Sequence, residues 1–339
     1  MNTKALINKL IDRKDLTTKE VQHLLEEIIA GNLPPAQVAA FLVGLRIKGE
    51  TVEEIFGLIQ TMRKHMSKVL TKGQVLDIVG TGGDGAGTFN ISTASSFVVA
   101  GCGVKVAKHG NRAASSKCGS ADVLEALGVN INLAPKQAGK ILEKVGMVFL
   151  FAPLYHPAMK NIAPVRRELG IRTVFNFLGP FLNPANTKIQ LLGVPNIEIA
   201  EKLAKVASKL KFTHLMIITS LDGMDEITTT ESSRVFEVNG SQIKSFIINP
   251  QKYGIKKAFK KELLGGDPKQ NAGIIQDILE GKKGPKRDIV VLNSGAALYL
   301  GGKAKSISEG IKLAEKLIDS KAAKQVLEKL TAETQKYAQ

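Results

Sequence analysis

A chain of 339 residues, 44% hydrophobic and 23% charged, has the composition of a folded globular protein with room for two domains. No apolar run approaches the eighteen residues of a membrane helix, and the polar N-terminal residues lack the apolar stretch of a secretory signal, so neither insertion nor secretion is expected. The net charge of +16 would suit nucleic acid, an anionic surface or a polyanionic substrate, but much of the excess is lysine beyond residue 250 at the spacing of solvated helix faces.

Residues 1–66 read as helices throughout. Thr17 with Glu20 three positions on has capping-box spacing ahead of an apolar periodic run. Gly31 to Pro35 breaks that run, residues 36–47 resume it, Gly49 stops it, and Thr51 restarts it towards Met66. A small helical domain over residues 1–70 is expected, with the polar stretch 67–74 as connector to an α/β domain over 71–339. Beyond Val75, strand candidates at 75–79, 104–107, 147–151, 214–219 and 289–292 alternate with helical segments at 121–127, 135–144, 197–210 and 308–317. Such alternation predicts an α/β fold with a largely parallel central sheet, whose ligands gather outside the carboxyl ends of the strands.

Four motifs fall at such places. In the first, Gly80, Gly82 and Gly85 match the spacing of a dinucleotide fingerprint. The next strand, however, ends in Lys108-His109 where a nicotinamide site needs an acid, and no Gly-Lys-Ser/Thr completes a P-loop. What the loop offers is exposed amides followed by Asn90, Ser92 and Thr93 at a helix start, which together make an anion site; Asp84 suits a hydroxyl or a metal-bound water. The second motif, residues 108–120, combines three cations, an Asn, hydroxyls and two glycines, a design for a pyrophosphate or phosphate ester. In the third, Asp222, Asp225 and Glu226 follow an apolar run and read as helix-terminal charge or as Mg²⁺ ligands. In the fourth, Pro164 opens a helix that sends Arg166 and Arg167 to different faces, one of them available for a substrate carboxylate.

Two cysteines, Cys102 and Cys118, are too few for a disulfide framework or a zinc cage, and a reduced cytoplasmic setting is expected. With no Trp and 5% aromatic residues, a stacking surface for single-stranded nucleic acid is not expected either.

Taken together, Gly80-Thr81-Gly82-Gly83-Asp84, Asn90-Ile91-Ser92-Thr93, Lys108-His109-Gly110-Asn111-Arg112, Gly119 to Glu125, Arg166 to Gly170 and Asp222 to Glu226 closely resemble the anthranilate phosphoribosyltransferases over nearly the whole chain. Met224 and Phe181 stand where that family usually has Leu. The resemblance implies a small N-terminal helical domain with a return segment near 164–184, a large α/β domain, a site at the hinge, and a homodimer formed through the helical domain. It implies transfer of the phosphoribosyl group of phosphoribosyl pyrophosphate to the amine of anthranilate, with release of pyrophosphate, in tryptophan biosynthesis. Gly80, Gly83, Asp84, Thr88, Asn90, Ile91, Ser92, Thr93, Lys108, Ser116 and Ser120 would then hold phosphoribosyl pyrophosphate. Gly80, Asn111 and Arg166 would hold anthranilate, with His109 nearby, and Ser92, Asp225 and Glu226 would serve Mg²⁺. An aniline-like nitrogen needs no dedicated strong base, so His109 is the one side chain considered for a catalytic proton. A pyrimidine-nucleoside phosphorylase and a non-enzymatic nucleic-acid binder on the same fold are the rival readings; the Asn111-Arg112 continuation and the Asp225-Glu226 pair argue against the first, and the metal carboxylates with Asn111 and Arg166 against the second.

Overall fold

The computed structural model describes residues 1–113 and 116–338. Four helices come first: α1 (Thr3–Ile11), α2 (Thr18–Ile29), α3 (Pro35–Lys48) and α4 (Val52–Lys64). Their starts obey local chemistry. Thr17 and Thr51 cap α2 and α4 in full capping boxes with Glu20 and Glu54, and Pro35 opens α3, where a missing N–H costs nothing.

Glu54 does more than cap. Fully buried, it accepts the backbone N–H groups of Leu16 and Thr51, both at 2.8 Å, and the Lys48 ammonium at 2.9 Å. Lys48 also reaches Asp15 at 2.8 Å. The carboxylate thus ties the α1–α2 turn to the α3–α4 turn. Glu54→Ala would leave two amides and a buried ammonium short of a partner and is expected to cost about 3–5 kcal/mol; urea unfolding of the variant against wild type measures it.

The sheet follows with β1 (Leu76–Gly80), α5 (Ile91–Gly101), β2 (Val106–Gly110), α6 (Ser120–Ala126), α7 (Pro135–Val145) and β3 (Met147–Phe151). Short helices α8 (Ala152–Tyr155), α9 (Ala163–Leu169) and α10 (Phe175–Leu178) lead to β4 (Ile189–Gly193), α11 (Ile197–Lys209) and β5 (His214–Ser220). A hairpin, β6 (Ser233–Asn239) and β7 (Gln242–Ile248), precedes α12 (Pro268–Leu279), α13 (Pro285–Leu300), α14 (Ile307–Asp319) and α15 (Ala322–Gln335).

The strand order is β3-β2-β1-β4-β5-β6-β7, with β3 to β5 parallel and the last two pairings antiparallel. The order reverses at β1, so the loops after β1 and β4 diverge there and leave a crevice at the strands' carboxyl ends. Side chains alternate across the sheet: Met216 and Ile218 of β5 enter one core with α5, α13 and α14, while Leu215 and Ile217 enter the other. That second core also holds α11, the helical lobe, and Val165, Val174, Phe175 and Leu178 from the segment around α9 and α10.

Two expectations change. Residues 289–292 are not a strand but the middle of α13, a helix buried on nearly every side. A four-residue apolar run is the same in a buried helix as in a buried strand, and Pro285 as a helix opener was the distinguishing mark. The second strand also runs to Gly110, so Lys108 and His109 lie within it rather than after it, both buried. β4, β6 and β7 were not foreseen. No helix among the described residues is long and apolar enough to cross a membrane.

Candidate active site

The crevice is walled by three elements ending together: β1 into the glycine loop, β4 at Gly193, and β5 into the turn that carries Asp225 and Glu226. Packing there leaves no room for side chains. A Cβ on Gly80 would stand 2.5 Å from Oδ2 of Asp225, and one on Gly193 would stand 1.5 Å from the Asp225 carbonyl oxygen. The acidic turn therefore rests directly on two strand-terminal glycines. Asn293 of α13 fixes it from behind, accepting the Ile227 N–H at 3.0 Å and donating to the Ile227 carbonyl at 2.9 Å.

Asp225 and Glu226 are each more than nine-tenths buried, and neither has a salt-bridge partner within 4 Å among the described residues. Burial pushes both well above the ordinary carboxylate range, helped for Glu226 by Asp225 and for both by Asp84. Asp225 accepts the Gly82 N–H at 2.6 Å, and its own N–H donates to Oδ2 of Asp84 at 3.4 Å. The Ser92 backbone at the start of α5, together with Lys108, opposes that rise for Glu226. Buried oxygen ligands without a paired cation are what a hard divalent ion takes. Among the described residues no three His, Cys, Asp or Glu side chains converge, so the protein offers a half-site of two carboxylates rather than a cage.

Lys108 projects from β2 beneath the glycine loop, donating to the Ile78 carbonyl at 2.6 Å and to Ser92 Oγ at 3.0 Å. Burial lowers its pKa, opposed by Asp77, Glu226 and Asp225. Beside it, Nε2 of His109 lies 3.1 Å from Nε2 of His156. Burial, then the neighbouring His156, pushes His109 down to about 3; burial alone takes His156 to about 4. Both rings are neutral at physiological pH.

The remaining candidates divide by what their side chains already do. Gly83, Ser116 and Asn111 are exposed, and Asp84, Thr88, Ser92 and Ser120 half-buried, around the crevice mouth. Thr88 pairs through its backbone with Leu264, the Ser116 hydroxyl reaches the Cys118 carbonyl, and that of Ser120 the Asn111 carbonyl. Asn90 is engaged with protein: it donates to the Cys118 carbonyl at 3.2 Å and accepts from Asn271 at 2.9 Å. The side chains of Ile91 and Thr93 turn into the core, and the Thr93 hydroxyl has no partner. Any ligand contact from these two must therefore use backbone, and Ile91 already gives its N–H to Phe89. Arg112 forks onto Asp122 and Glu125 instead of reaching for an anion. Ala114 and Ser115 of the second motif lie outside the described residues.

Arg166 is half-buried over the Phe175 ring at 5.6 Å, with Nη2 3.5 Å from Oδ1 of Asn176, whereas Arg167 and Glu168 face solvent. The helix thus separates the two arginines as its period dictates, and Arg166 is the one with donors to spare in a half-apolar setting. Asn271, Asn293, His156 and Gly193 were not singled out from sequence. Gly193 alone had a signal, as the glycine closing the apolar run 189–193; a lone Asn or His in a helix or loop carries none.

Comparison with known proteins agrees with this geometry. The model of the glycosyl transferase family a/b domain matches residues 72–324, and that of the family's helical bundle domain matches residues 4–66. Anthranilate phosphoribosyltransferases from Acetivibrio thermocellus and Ruminiclostridium cellulolyticum are 51% and 50% identical, over 98% and 95% of this chain and 97% and 95% of their own. The crystal structure of the Thermus thermophilus enzyme superposes with a TM-score of 0.92 at 39% identity, covering 97% of this chain and 99% of that one. The Saccharomyces cerevisiae enzyme in complex with PRPP and Mg superposes with a TM-score of 0.92 at 28% identity, covering 98% of each. The chain belongs to the anthranilate phosphoribosyltransferase family of glycosyl transferases.

Proposed function

We propose that this protein transfers the phosphoribosyl group of phosphoribosyl pyrophosphate to the amine of anthranilate, releasing pyrophosphate, as a step of tryptophan biosynthesis. The observation that carries the reading is the crevice at β1: a glycine loop of free amides facing two buried carboxylates that lack a cation. The loop, with Gly83, Asp84, Ser92 and the lip at Ser116 and Ser120, would hold the phosphates; Asn90, Ile91 and Thr93 would shape that wall through backbone and buried contacts. Asp225 and Glu226, with Ser92, would hold Mg²⁺, which when bound offsets charge on the pyrophosphate.

Gly80, Asn111 and Arg166 would hold anthranilate, Arg166 reaching its carboxylate. The amine is already nucleophilic and its lone pair attacks C1 while the C1–O bond to pyrophosphate breaks; the proton it sheds passes to solvent or product. His109, neutral and weakly basic, orients rather than abstracts. Rate comes from holding amine and C1 in line and from stabilising the leaving group.

Loss of anthranilate fluorescence that requires protein, phosphoribosyl pyrophosphate and Mg²⁺ together tests the reaction; no loss with folded protein refutes it. Arg166→Ala is expected to raise KM for anthranilate about 10- to 100-fold, the worth of a charged hydrogen bond, with KM for phosphoribosyl pyrophosphate little changed. Steady-state titration of each substrate checks the split. We read the functional unit as a cytoplasmic homodimer joined through the helical lobe, a division at residue 70 separating that lobe from the α/β part. Ile11 and Ile47, 65% and 63% exposed on α1 and α3, support that face as the contact.

A further inference from the structure

The return segment carries another arginine, for which the reaction above has no role. Arg172 lies between α9 and α10, flanked by Val165, Val174 and Phe175 in the core shared with the helical lobe. Its Nη2 donates to the Gly82 carbonyl at 2.9 Å. Gly82 is thus held from both walls of the crevice, since its N–H donates to Asp225 at 2.6 Å. The guanidinium lies so close to Gly83 that a Cβ there would stand 2.3 Å from Nη2.

In a trans peptide the carbonyl and the N–H point to opposite sides. Tying the Gly82 oxygen to Arg172 therefore turns the Gly83 N–H away from the guanidinium. No other hydrogen bond among the described residues holds that peptide. Gly82 and Gly83 have φ of +74° and +73°, and neither has a side chain to pack. The N–H groups of Gly83, Asp84 and Gly85 donate to no backbone acceptor among the described residues, so they form an open row of donors, an anion nest. Were the Gly82–Gly83 peptide to flip, a carbonyl oxygen would replace the first donor and repel a phosphate.

Resting on the reaction proposed above, we propose that Arg172 is a positioning residue that fixes the Gly82–Gly83 peptide from the far wall of the crevice, so the loop donors are aligned before the pyrophosphate-bearing substrate arrives. Its contribution is preorganisation, not contact with the reacting atoms. It also means the nest is assembled from both sides: Asp225 from the β5 turn and Arg172 from the segment packed with the helical lobe.

Arg172→Ala and Arg172→Lys test this. Thr81-Gly82 is the only Thr-Gly step in the sequence, so ¹³C-threonine and ¹⁵N-glycine labelling isolates the Gly82 amide resonance. In substrate-free Arg172→Ala that resonance is expected to shift or broaden. KM for phosphoribosyl pyrophosphate should rise about tenfold, with KM for anthranilate and kcat within about twofold and the thermal midpoint unchanged. Lys supplies an ammonium donor for the Gly82 carbonyl and should recover most of both effects. An unmoved Gly82 resonance, an unchanged KM, or equal rises for both substrates would overturn the proposal. Should wild-type protein show no turnover, the reaction reading falls, while the Gly82 resonance and the affinity for inorganic pyrophosphate still decide the role of Arg172.

Discussion

Asp225→Asn is expected to lower kcat about 30- to 1,000-fold, ~2–4 kcal/mol of transition-state stabilisation, with a much smaller effect on anthranilate KM. Asparagine keeps an acceptor for the Gly82 N–H, so the loop stays anchored while one negative charge is lost. That charge matters most when pyrophosphate departs, which is why the effect falls on kcat. Removing it also relieves repulsion with Asp84 inside a buried site, so the thermal midpoint should not drop. Single-turnover and steady-state rates across a wide Mg²⁺ range, with thermal melts on the same samples, separate these effects. Turnover at the wild-type rate under limiting Mg²⁺ would remove Asp225 from the reaction.

The second large effect is on acid stability. His109 and His156 are held neutral in the fold, at about 3 and about 4, against an ordinary value near 6.5. The unfolded chain therefore binds more protons than the folded one as pH falls through 6.5, and their contribution, complete above that pH, is lost towards 4. Asp77, pushed up by burial to about 6, works in the opposite sense, because the folded state takes up its proton first. A difference measurement isolates the imidazoles. His156→Gln keeps an amide that can donate to or accept from His109 but removes one titrating ring. The stability gap between variant and wild type should narrow by about 1.4 kcal/mol per pH unit between pH 6.5 and roughly 4.5, one proton's worth. Urea unfolding at pH 7.5, 6.5, 5.5 and 4.5 measures that slope; a gap independent of pH would show that His156 is not held neutral.

Local chemistry was readable where it was local. The capping box at Thr17 and the helix opener Pro164 follow from side chains within three residues of the backbone they satisfy. The glycine loop and the acidic turn were visible as motifs because their residue types are costly anywhere else. Less legible was everything set by the sheet. β7 is exposed on both faces along most of its length, so no alternation marks it, and α13 hides its helical period because it is buried all round. The functions of individual polar side chains were the least legible. Thr93 and Asn90 sit in a motif that reads as a ligand wall, yet one turns inward and the other is consumed by Asn271 and Cys118. Asn293 braces the acidic turn from sixty-six residues away, a relation no local pattern encodes.

The second core has a bearing on how the chain is made. Its members run from Leu6 in the first helix to Val238 in the hairpin, and Phe41 and Leu58 share it with Phe181, Leu203 and Leu215. A ribosome delivers the four helices first, but α11 and then β5, which cover them, begin only at Ile197, after roughly 6–26 s at about 5–20 residues per second. During that interval the lobe presents uncovered apolar side chains to the crowded exit region. The nascent chain should therefore be a chaperone substrate through roughly its first two thirds and cease to be one only after β5 (His214–Ser220) has been added.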